Sequence, residues 1–318
     1  FPEGAISRSG HLGEFKRGYE TAAKDAAGVI VPFYLRGLWG STFSRSSARL
    51  RVLRRGGIRR TIICAFGAQQ PLSLPAEQLK RRVFDLSIEA WERYTKRLDS
   101  IPSAWLSTAK RMGGDMACAD TVSGGLSAWR FITGVIIISR FIRRLCREQN
   151  VGLLLPTSNG GAIANMAALM CGTTVVNLNY TASVEATQAA LAKAGIRTVF
   201  TSTRFLDRLE QRGIDGRALV AGATIYPLED FQPQISQLRR ILTLLQAVLL
   251  PGWLLKLLYM KRMPLESPAA ILFSSGSEGI PKGVMLSHRN IMANIKQMSD
   301  VLNTEDNDVL MATLPIFH

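Results

Sequence analysis

Apolar and polar positions in the second half of the chain follow two alternating periods. Short aliphatic runs predict β-strands, and longer stretches with apolar residues at helical spacing predict helices between them. The predicted strands cover residues 151–155, 173–178 and 198–201. One predicted helix ends near residue 147, and two further helices cover 159–170 and 183–194. Strands that alternate with helices of about 10–15 residues indicate parallel βαβ units. The sequence therefore predicts an α/β fold whose ligands bind beyond the carboxyl ends of the strands.

The pattern is different in residues 1–98. Two runs rich in β-branched residues predict strands at 28–35 and 60–66, and apolar positions at helical spacing predict a helix over 75–98. Residues 100–127 are richer in glycine and serine, which predicts a connection with little core of its own. We therefore expect a first domain over 1–98, a linker over 99–125 and a second domain over 126–318.

Two apolar stretches look like membrane spans but are too short for that role. Residues 131–139 precede four arginines at i, i+3, i+4 and i+7 spacing, which predicts an amphipathic helix packed within a domain. Residues 241–255 are uncharged, but they fall short of the roughly 20 residues that a span needs, and Pro251 and Gly252 interrupt them. This second stretch fits either a buried helical hairpin or an interfacial helix in the lipid headgroups.

The chain is strongly basic, with a net charge of +15 and a pI near 10.2. An arginine cluster lies between residues 26 and 76, where there is no acidic residue, and consists of Arg36, Arg45, Arg49, Arg51, Arg54, Arg55, Arg59 and Arg60. Its pattern matches no known nucleic-acid-binding module, so we expect no nucleic acid partner. It fits a solvated surface, or a surface that meets anionic lipid headgroups or an acidic carrier protein. The four scattered cysteines show no metal spacing and favour a reducing compartment.

Residues 271–283, ILFSSGSEGIPKG, form the strongest candidate site. The apolar run at its start is typical of the end of a buried strand. The loop that follows supplies hydroxyl donors, and its glycines let the backbone approach a ligand closely. Successive backbone N–H groups in such a loop bind anions, and a lysine adds a positive charge for phosphate. An ordinary Ser/Gly turn is the alternative, and the spacing is not that of a Walker loop. The candidate phosphate-binding residues are Ser274, Ser275, Gly276, Ser277, Glu278, Gly279 and Lys282.

Residues 271–282 resemble, without a break, the phosphate-binding signature of the adenylate-forming family, the acyl-CoA and acyl-carrier-protein synthetases. Residues 153–159, 179–182 and 196–202 are similar to the early core of the same family. The resemblance implies that a fatty acid is activated with ATP and Mg²⁺ as an acyl-adenylate. It implies catalytic roles for Lys282, at the departing pyrophosphate, and for His318, beside the acyl pocket. His288 fits a structural residue at a helix start better than a catalyst.

The first ten residues, FPEGAISRSG, contain a Pro-Glu-Gly turn that presents the carboxylate of Glu3, with Arg8 close in sequence. Together with Val-Pro at 31–32 and GLWGS at 37–41, this turn resembles the glycerophospholipid acyltransferase family. The resemblance implies an acceptor site containing Glu3, Gly4 and Arg8. Arg8 would replace the Thr-Arg that the family commonly has after the glycine. The family's His and Asp, five positions apart, have no counterpart at His11, His288 or His318.

Both resemblances, in this order, are typical of bacterial bifunctional proteins that join a lysophospholipid acyltransferase to an acyl-acyl-carrier-protein synthetase. They imply the C-terminal part of an acyltransferase α/β domain followed by the N-terminal βαβ part of an adenylate-forming domain. We expect a piece of a longer enzyme, inactive alone, at the cytoplasmic face of the bacterial inner membrane. The expected partners are acyl carrier protein, fatty acid, a lysophospholipid such as lysophosphatidylethanolamine, and an anionic membrane surface. A long-chain acyl-CoA ligase and a non-catalytic membrane-associated scaffold are the rival functions.

Overall fold

The computed structural model describes residues 2–41, 44–46, 61–274, 281–302 and 308–317. The chain divides into two compact units, Phe1–Leu98 with Ala293–Val309 and Asp99–Met292 with Leu310–His318. The first break falls where the predicted first domain ends. The identities assigned to the two predicted domains rest on sequence resemblance and stay predictions.

The first unit packs one long helix on a small antiparallel sheet. Its first elements in chain order are α1 (Gly18–Ala23), β1 (Phe33–Arg36), β2 (Ile63–Phe66) and α2 (Ala76–Thr95). Helix α2 buries Leu79 and Val83 beside Leu74. The carboxylate of Glu20 accepts a hydrogen bond from the backbone N–H of Ala76 at 2.7 Å, which satisfies a free donor in the first turn of α2. Strand β1 is shorter than the predicted strand at 28–35, although Ile30 ahead of it forms an isolated antiparallel bridge with Gln70. The predicted strand at 60–66 contains β2.

Arg36, one member of the arginine cluster, does not have the surface role expected for the cluster. Its guanidinium lies 4.2 Å from the ring centre of Trp91 and 4.8 Å from that of Tyr94, and it pairs with Asp300 at 3.1 Å. Cation–π contacts and an ion pair hold this side chain in the packing of the first unit rather than on a solvated surface. Arg45 is exposed. The remaining members lie outside the described residues, namely Arg49, Arg51, Arg54, Arg55, Arg59 and Arg60.

The second unit contains a sheet that, in the described part of the chain, has six strands. The elements of this unit in chain order are α3 (Ile101–Met112), β3 (Met116–Asp120), β4 (Gly124–Ser127), α4 (Ala128–Leu145), β5 (Asn150–Leu154), α5 (Asn159–Cys171), β6 (Thr174–Asn177), α6 (Val184–Ala194), β7 (Thr198–Thr201), α7 (Thr203–Glu210), α8 (Gly216–Leu219), β8 (Thr224–Pro227), α9 (Gln237–Leu249), α10 (Gly252–Tyr259), β9 (Pro268–Ser274), β10 (Lys282–Ser287) and α11 (His288–Leu302), which continues into the first unit. The strand order is β10-β9-β6-β5-β7-β8. All neighbours pair in parallel except β10, which runs antiparallel to β9 at the edge.

Helices cover both faces of this sheet, as the alternating pattern predicts. Leu153 of β5 belongs to a core with Phe131 of α4 and Ala164 of α5. The next residue, Leu154, belongs to a separate core with Leu191 of α6 and further residues of α7. Successive strand residues point to opposite faces, so one apolar run supplies both cores. The α/β class and the parallel βαβ units are therefore confirmed.

Residues 99–125 differ from the predicted linker in their structure. They contain helix α3 and the strands of a β-hairpin, β3 and β4. Leu106 of α3 is completely buried with Ile132 and Ile136 of α4 and Leu255 of α10. The small residues of this segment permit close packing, which composition alone does not distinguish from a flexible connection.

Residues 241–255 lie in helices α9 and α10, a helical hairpin with Pro251 just before α10, but the pair is not buried as the first of the two expected structures requires. Only one face of the pair is buried, through Thr243, Ala247 and Leu255. Within the described residues, none of the helices is long and apolar enough to span a membrane.

Candidate functional site

The structure places Ser274 and Lys282 side by side at the edge where the parallel strands end. Ser274 is the last residue of β9 and Lys282 is the first of β10, and the two are partners in the antiparallel register. Both are exposed. The predicted contacts of the loop between them stay predictions, because its residues lie outside the described ones: Ser275, Gly276, Ser277, Glu278 and Gly279.

A cavity of about 150 Å³ opens beside this hairpin. Asn177 at the end of β6, Thr187 of α6, Phe273 and Ser274 contribute to its lining. Lys282 directly follows another lining residue, Pro281. The cavity lies at the carboxyl ends of β6 and β9, the place where parallel α/β sheets bind ligands.

The Asn-Tyr-Thr-Ala segment at 179–182 forms a turn that borders the same cavity. The side-chain oxygen of Asn179 accepts hydrogen bonds from the backbone N–H of Thr181 at 2.9 Å and from its hydroxyl at 2.7 Å. Such a side-chain bond to the backbone two residues later fixes a tight turn. The ring of Tyr180 packs edge-on against Phe205 and Phe317, at centroid distances of 5.2 and 4.9 Å. The turn thus brings an aromatic cluster to the cavity.

The segment before His318 also reaches this edge of the sheet. The hydroxyl of Thr157 donates a hydrogen bond to the carbonyl of Leu314 at 3.0 Å, and Phe317 lines the cavity. Gly161 holds α5 close to the loop after β5, because a Cβ there would collide with the carbonyl oxygen of Pro156. His318 lies outside the described residues, so its predicted catalytic role stays a prediction.

Two polar residues at this edge were not found by sequence reasoning. The ammonium of Lys193, in the last turn of α6, donates to the carbonyl of Pro281 at 3.2 Å and holds the chain just before Lys282. Asp120 accepts from the backbone N–H of Asn159, at the start of α5, at 2.8 Å. Burial opposes the charged form, but hydrogen bonds from Ser123, Asn159 and Val122 hold the pKa of Asp120 below its ordinary value. The short Asp-x-x-Ser turn is the one signal that could have indicated Asp120.

The predicted acceptor residues lie in the first unit. The Glu3 carboxylate accepts from the backbone N–H of Gly13 at 2.5 Å, and Gly4 has φ +70°, a conformation that glycine adopts readily. The turn is therefore ordered by Gly13, whereas Arg8 is exposed. Burial and the nearby Glu3 and Asp300 raise the pKa of Tyr34, against the lowering effect of Arg36. The acceptor role of Glu3, Gly4 and Arg8 stays a prediction.

Within the described ranges, no cluster of three His, Cys, Asp or Glu side chains is placed to hold a metal ion. Exposed Ser274 and Lys282 suit the chemistry of a phosphate chain, since hydroxyls donate to its oxygens and the ammonium offsets its charge.

The chain belongs to the AMP-binding enzyme family, whose model matches residues 139–318. This range contains the sheet, the cavity and the Ser274–Lys282 hairpin. It shows an AMP-binding domain of the adenylate-forming superfamily, so the resemblance of the second part of the chain is confirmed. The match does not include residues 1–138, and their resemblance to an acyltransferase stays a prediction.

Curated relatives include CoA ligases and an acyl-carrier-protein ligase. The chain is 30% identical over 181 residues to 4-coumarate–CoA ligase 5 of Oryza sativa subsp. japonica, covering 55% of this chain and 30% of the relative. It is 50% identical over 50 residues to the medium-chain fatty-acid–CoA ligase of Escherichia coli K12, covering 16% and 9%. A third is the chloroplastic long-chain-fatty-acid–[acyl-carrier-protein] ligase AEE15 of Arabidopsis thaliana, with 42% identity over 53 residues, covering 17% and 7%. The chain thus spans less than a third of the length of these relatives.

Solved structures share the fold at low sequence identity. VinN superposes with a TM-score of 0.52 and 17% identity, over 67% of this chain and 50% of VinN. The fatty acid AMP ligase of Legionella pneumophila gives a TM-score of 0.52 and 14% identity, over 71% and 37% of the two chains. These similarities support the α/β fold of the adenylate-forming N-terminal domain.

Proposed function

We propose that this chain contributes the nucleotide-binding part of an enzyme that activates a fatty acid with ATP and Mg²⁺ and loads it onto acyl carrier protein. One observation carries the proposal. Ser274 and Lys282 flank the loop of the family signature and lie beside a cavity at the carboxyl ends of β6 and β9. The family match over residues 139–318 and the fatty-acid ligases among the relatives support the same chemistry.

In this reaction the fatty-acid carboxylate attacks the α-phosphorus of ATP, which gives an acyl-adenylate and releases pyrophosphate. The chain contributes position and charge rather than covalent chemistry. The hydroxyl of Ser274 and the backbone of the following loop would hold phosphate oxygens. Lys282 would offset the charge on the departing pyrophosphate, and Lys193 would keep Lys282 in place through Pro281. His318 would lie beside the acyl group.

Lys282→Ala tests this site in the full-length protein. We expect ATP–pyrophosphate exchange to slow at least about 100-fold, because one charged contact to the transition state is worth about 3 kcal/mol. The control is Lys24→Ala, which removes an exposed lysine from the first unit. An exchange rate that is the same in both variants would remove Lys282 from the site.

The thiol that receives the acyl group from the adenylate distinguishes this proposal from a long-chain acyl-CoA ligase. Coenzyme A and acyl carrier protein are both anionic, so the net charge does not separate them, and the reason to propose acyl carrier protein is the [acyl-carrier-protein] ligase among the relatives. Parallel assays with acyl carrier protein and with coenzyme A, each at saturating fatty acid and ATP, measure the preference. Faster product formation with coenzyme A would reject the carrier-protein part and leave the activation step intact.

The second candidate activity is transfer of the acyl group to a lysophospholipid, such as lysophosphatidylethanolamine, at the cytoplasmic face of a bacterial inner membrane. The ordered turn that presents Glu3 beside Tyr34 favours it. Glu3→Gln and Arg8→Ala should lower lysophospholipid acylation in the full-length protein and leave pyrophosphate exchange unchanged. Acylation at the original rate in both variants would remove these residues from an acceptor site. A protein that performs neither reaction would support the non-catalytic scaffold instead.

A further inference from the structure

The α9–α10 hairpin carries an apolar surface that faces solvent. On α9 this surface consists of Leu238, Ile241, Leu242, Leu245 and Leu249, which are exposed and follow i, i+3, i+4, i+7 and i+11 spacing. On α10 the exposed apolar residues are Trp253, Leu257 and Leu258. We call these eight residues the hairpin face. Leu249 and Trp253, on either side of the turn, expose 72% and 68% of their surface.

The orientation of α9 is the reverse of an ordinary amphipathic helix on a protein surface. Its fully buried residues are the small Thr243 and Ala247. Four of its five leucines lie on the opposite side, and Leu244 is half-buried. A surface helix normally directs its apolar stripe to the core and its polar residues to water. A contiguous exposed apolar patch of this kind marks an interaction site.

Hydrogen bonds fix the hairpin in this orientation. The ammonium of Lys110 donates to the carbonyls of Ala247 and Val248 at 2.7 and 3.0 Å, where α9 ends. The hydroxyl of Tyr259 bonds the side-chain oxygen of Gln246 at 2.7 Å and ties α10 to α9. Lys256 donates to the hydroxyl of Ser107 at 2.8 Å. The apolar face is therefore held outward by the rest of the unit.

Charge identifies the surface that would cover it. Between Asp230 and Glu266 the chain has no acidic residue, and the basic residues there are Arg239, Arg240, Lys256, Lys261 and Arg262. Four of them are exposed, since only Lys256 is partly buried. A helix with leucine and tryptophan on one face, bordered by lysine and arginine, is typical of an element that lies in the interface of an anionic bilayer.

We infer that the hairpin face is an in-plane membrane anchor that inserts into an anionic lipid surface. The leucines and Trp253 enter the boundary between headgroups and acyl chains, and exposed cations near the face, such as Arg239, contact the lipid phosphates. The anchor does not depend on the proposed activity or on the arginine cluster. It brings the second unit, with its nucleotide cavity, to the surface where fatty acids and lysophospholipids partition.

Vesicle flotation of the full chain tests the anchor. Vesicles of phosphatidylcholine with phosphatidylglycerol should bind the chain, and vesicles of phosphatidylcholine alone should bind it more weakly. The variant Leu245→Ser/Leu249→Ser/Trp253→Ser should lower the partition coefficient at least about tenfold, because burial of even one such side chain accounts for a change of that size. The control Phe84→Ser/Val122→Ser/Ile88→Ser removes three exposed apolar residues elsewhere and should bind as the original chain does.

A spectroscopic variant makes the test independent of folding defects in the triple variant. Trp253→Phe should still float with anionic vesicles but lose the part of the lipid-induced blue shift in tryptophan fluorescence that Trp253 produces. An unchanged blue shift in Trp253→Phe, or equal flotation of the triple variant, would overturn the anchor. Sedimentation of the chain without lipid tests whether a second copy of the chain covers the hairpin face instead. A dimer that the triple substitution dissociates, with no vesicle binding, would assign the face to a second copy of the chain.

Discussion

His288 begins α11 directly after the edge strand β10, and its imidazole is almost completely buried. Its Nδ1 atom accepts a long hydrogen bond, 3.4 Å, from the backbone N–H of Ile101 at the start of α3. The hydroxyl of Ser287 accepts from the backbone N–H of Asn290 at 3.1 Å, and the Asn290 side chain accepts in return from the N–H of Ser287 at 3.0 Å. This reciprocal pair caps the helix. The structure thus supports the structural role that the sequence favours for His288.

Burial lowers the pKa of His288, which gives a prediction for stability against pH. The unfolded chain binds a proton near pH 6.5, whereas the folded chain binds it only at lower pH. The free energy of unfolding should therefore be constant with respect to this group above about pH 6.5 and decrease as pH falls from there to the lower folded pKa. Urea unfolding between pH 7.5 and pH 5 measures this decrease.

His288→Gln provides the comparison, since glutamine retains an acceptor for Ile101 but does not titrate. We expect the variant to lose the part of the pH dependence that lies just below pH 6.5. His11→Gln, which replaces an exposed histidine, should retain it. A His288→Gln variant with the original pH dependence would show that other groups produce it.

Whether a residue of the candidate site could be predicted from the sequence depends on how far along the chain its contact partner lies. Ser274 and Lys282 could be predicted because a local loop pattern contains both, and the register of β9 and β10 then makes them neighbours. Lys193 could not be predicted, because its partner Pro281 lies 88 positions later in the chain and only the tertiary fold brings the two together. Asp120 likewise acts through the start of α5, 39 positions away. Local patterns do not reveal such distant contacts.

The same distinction explains which elements could be predicted. Strands β5, β6 and β7 are apolar on both faces, and the helices between them carry serine N-caps at Ser158 and Ser183, so periodicity indicated them directly. Helix α3 was missed because glycines and serines surround a short apolar pattern. Its core position depends on α4 and α10, whose contacts composition does not show. Tertiary packing therefore decided the structure of this segment.

Leu106→Ala tests whether α3 is an integral part of the second unit. Leu106 is completely buried, and its truncation should lower the free energy of unfolding by about 2–5 kcal/mol. Thr108→Ala, at an exposed position of the same helix, should change it by less than about 0.5 kcal/mol. Urea unfolding of both variants gives the comparison. A loss below about 1 kcal/mol at Leu106 would mean that the segment behaves as the predicted linker.

At the scale of the whole molecule, two features compete as the means of contact with an anionic surface. One is the net charge of +15, concentrated in the arginine cluster, of which Arg45 is exposed and Arg36 is held in the packing of the first unit. The other is the hairpin face of the second unit. Their physics differ, because exposed charges are screened within about 8 Å at physiological ionic strength, whereas apolar burial is not weakened by this screening.

Charge reversal in the cluster, Arg49→Glu/Arg51→Glu/Arg54→Glu/Arg55→Glu, should weaken binding to anionic vesicles or to acyl carrier protein. It should also flatten the dependence of that binding on salt, since fewer charge contacts remain to be screened. The matched control is Arg204→Glu/Arg208→Glu/Arg212→Glu/Arg217→Glu, which changes the net charge equally at four exposed arginines of the second unit.

Equal weakening by both quadruple variants would mean that overall charge attracts the surface and that the cluster is not a specific contact. Binding that ignores added salt and both reversals would assign the anchor to the hairpin face alone. A cluster variant that does not fold, by far-UV circular dichroism, would make these arginines structural, as Arg36 already is. Pyrophosphate exchange should remain intact in the cluster variant, because the arginines lie outside the matched AMP-binding range of residues 139–318.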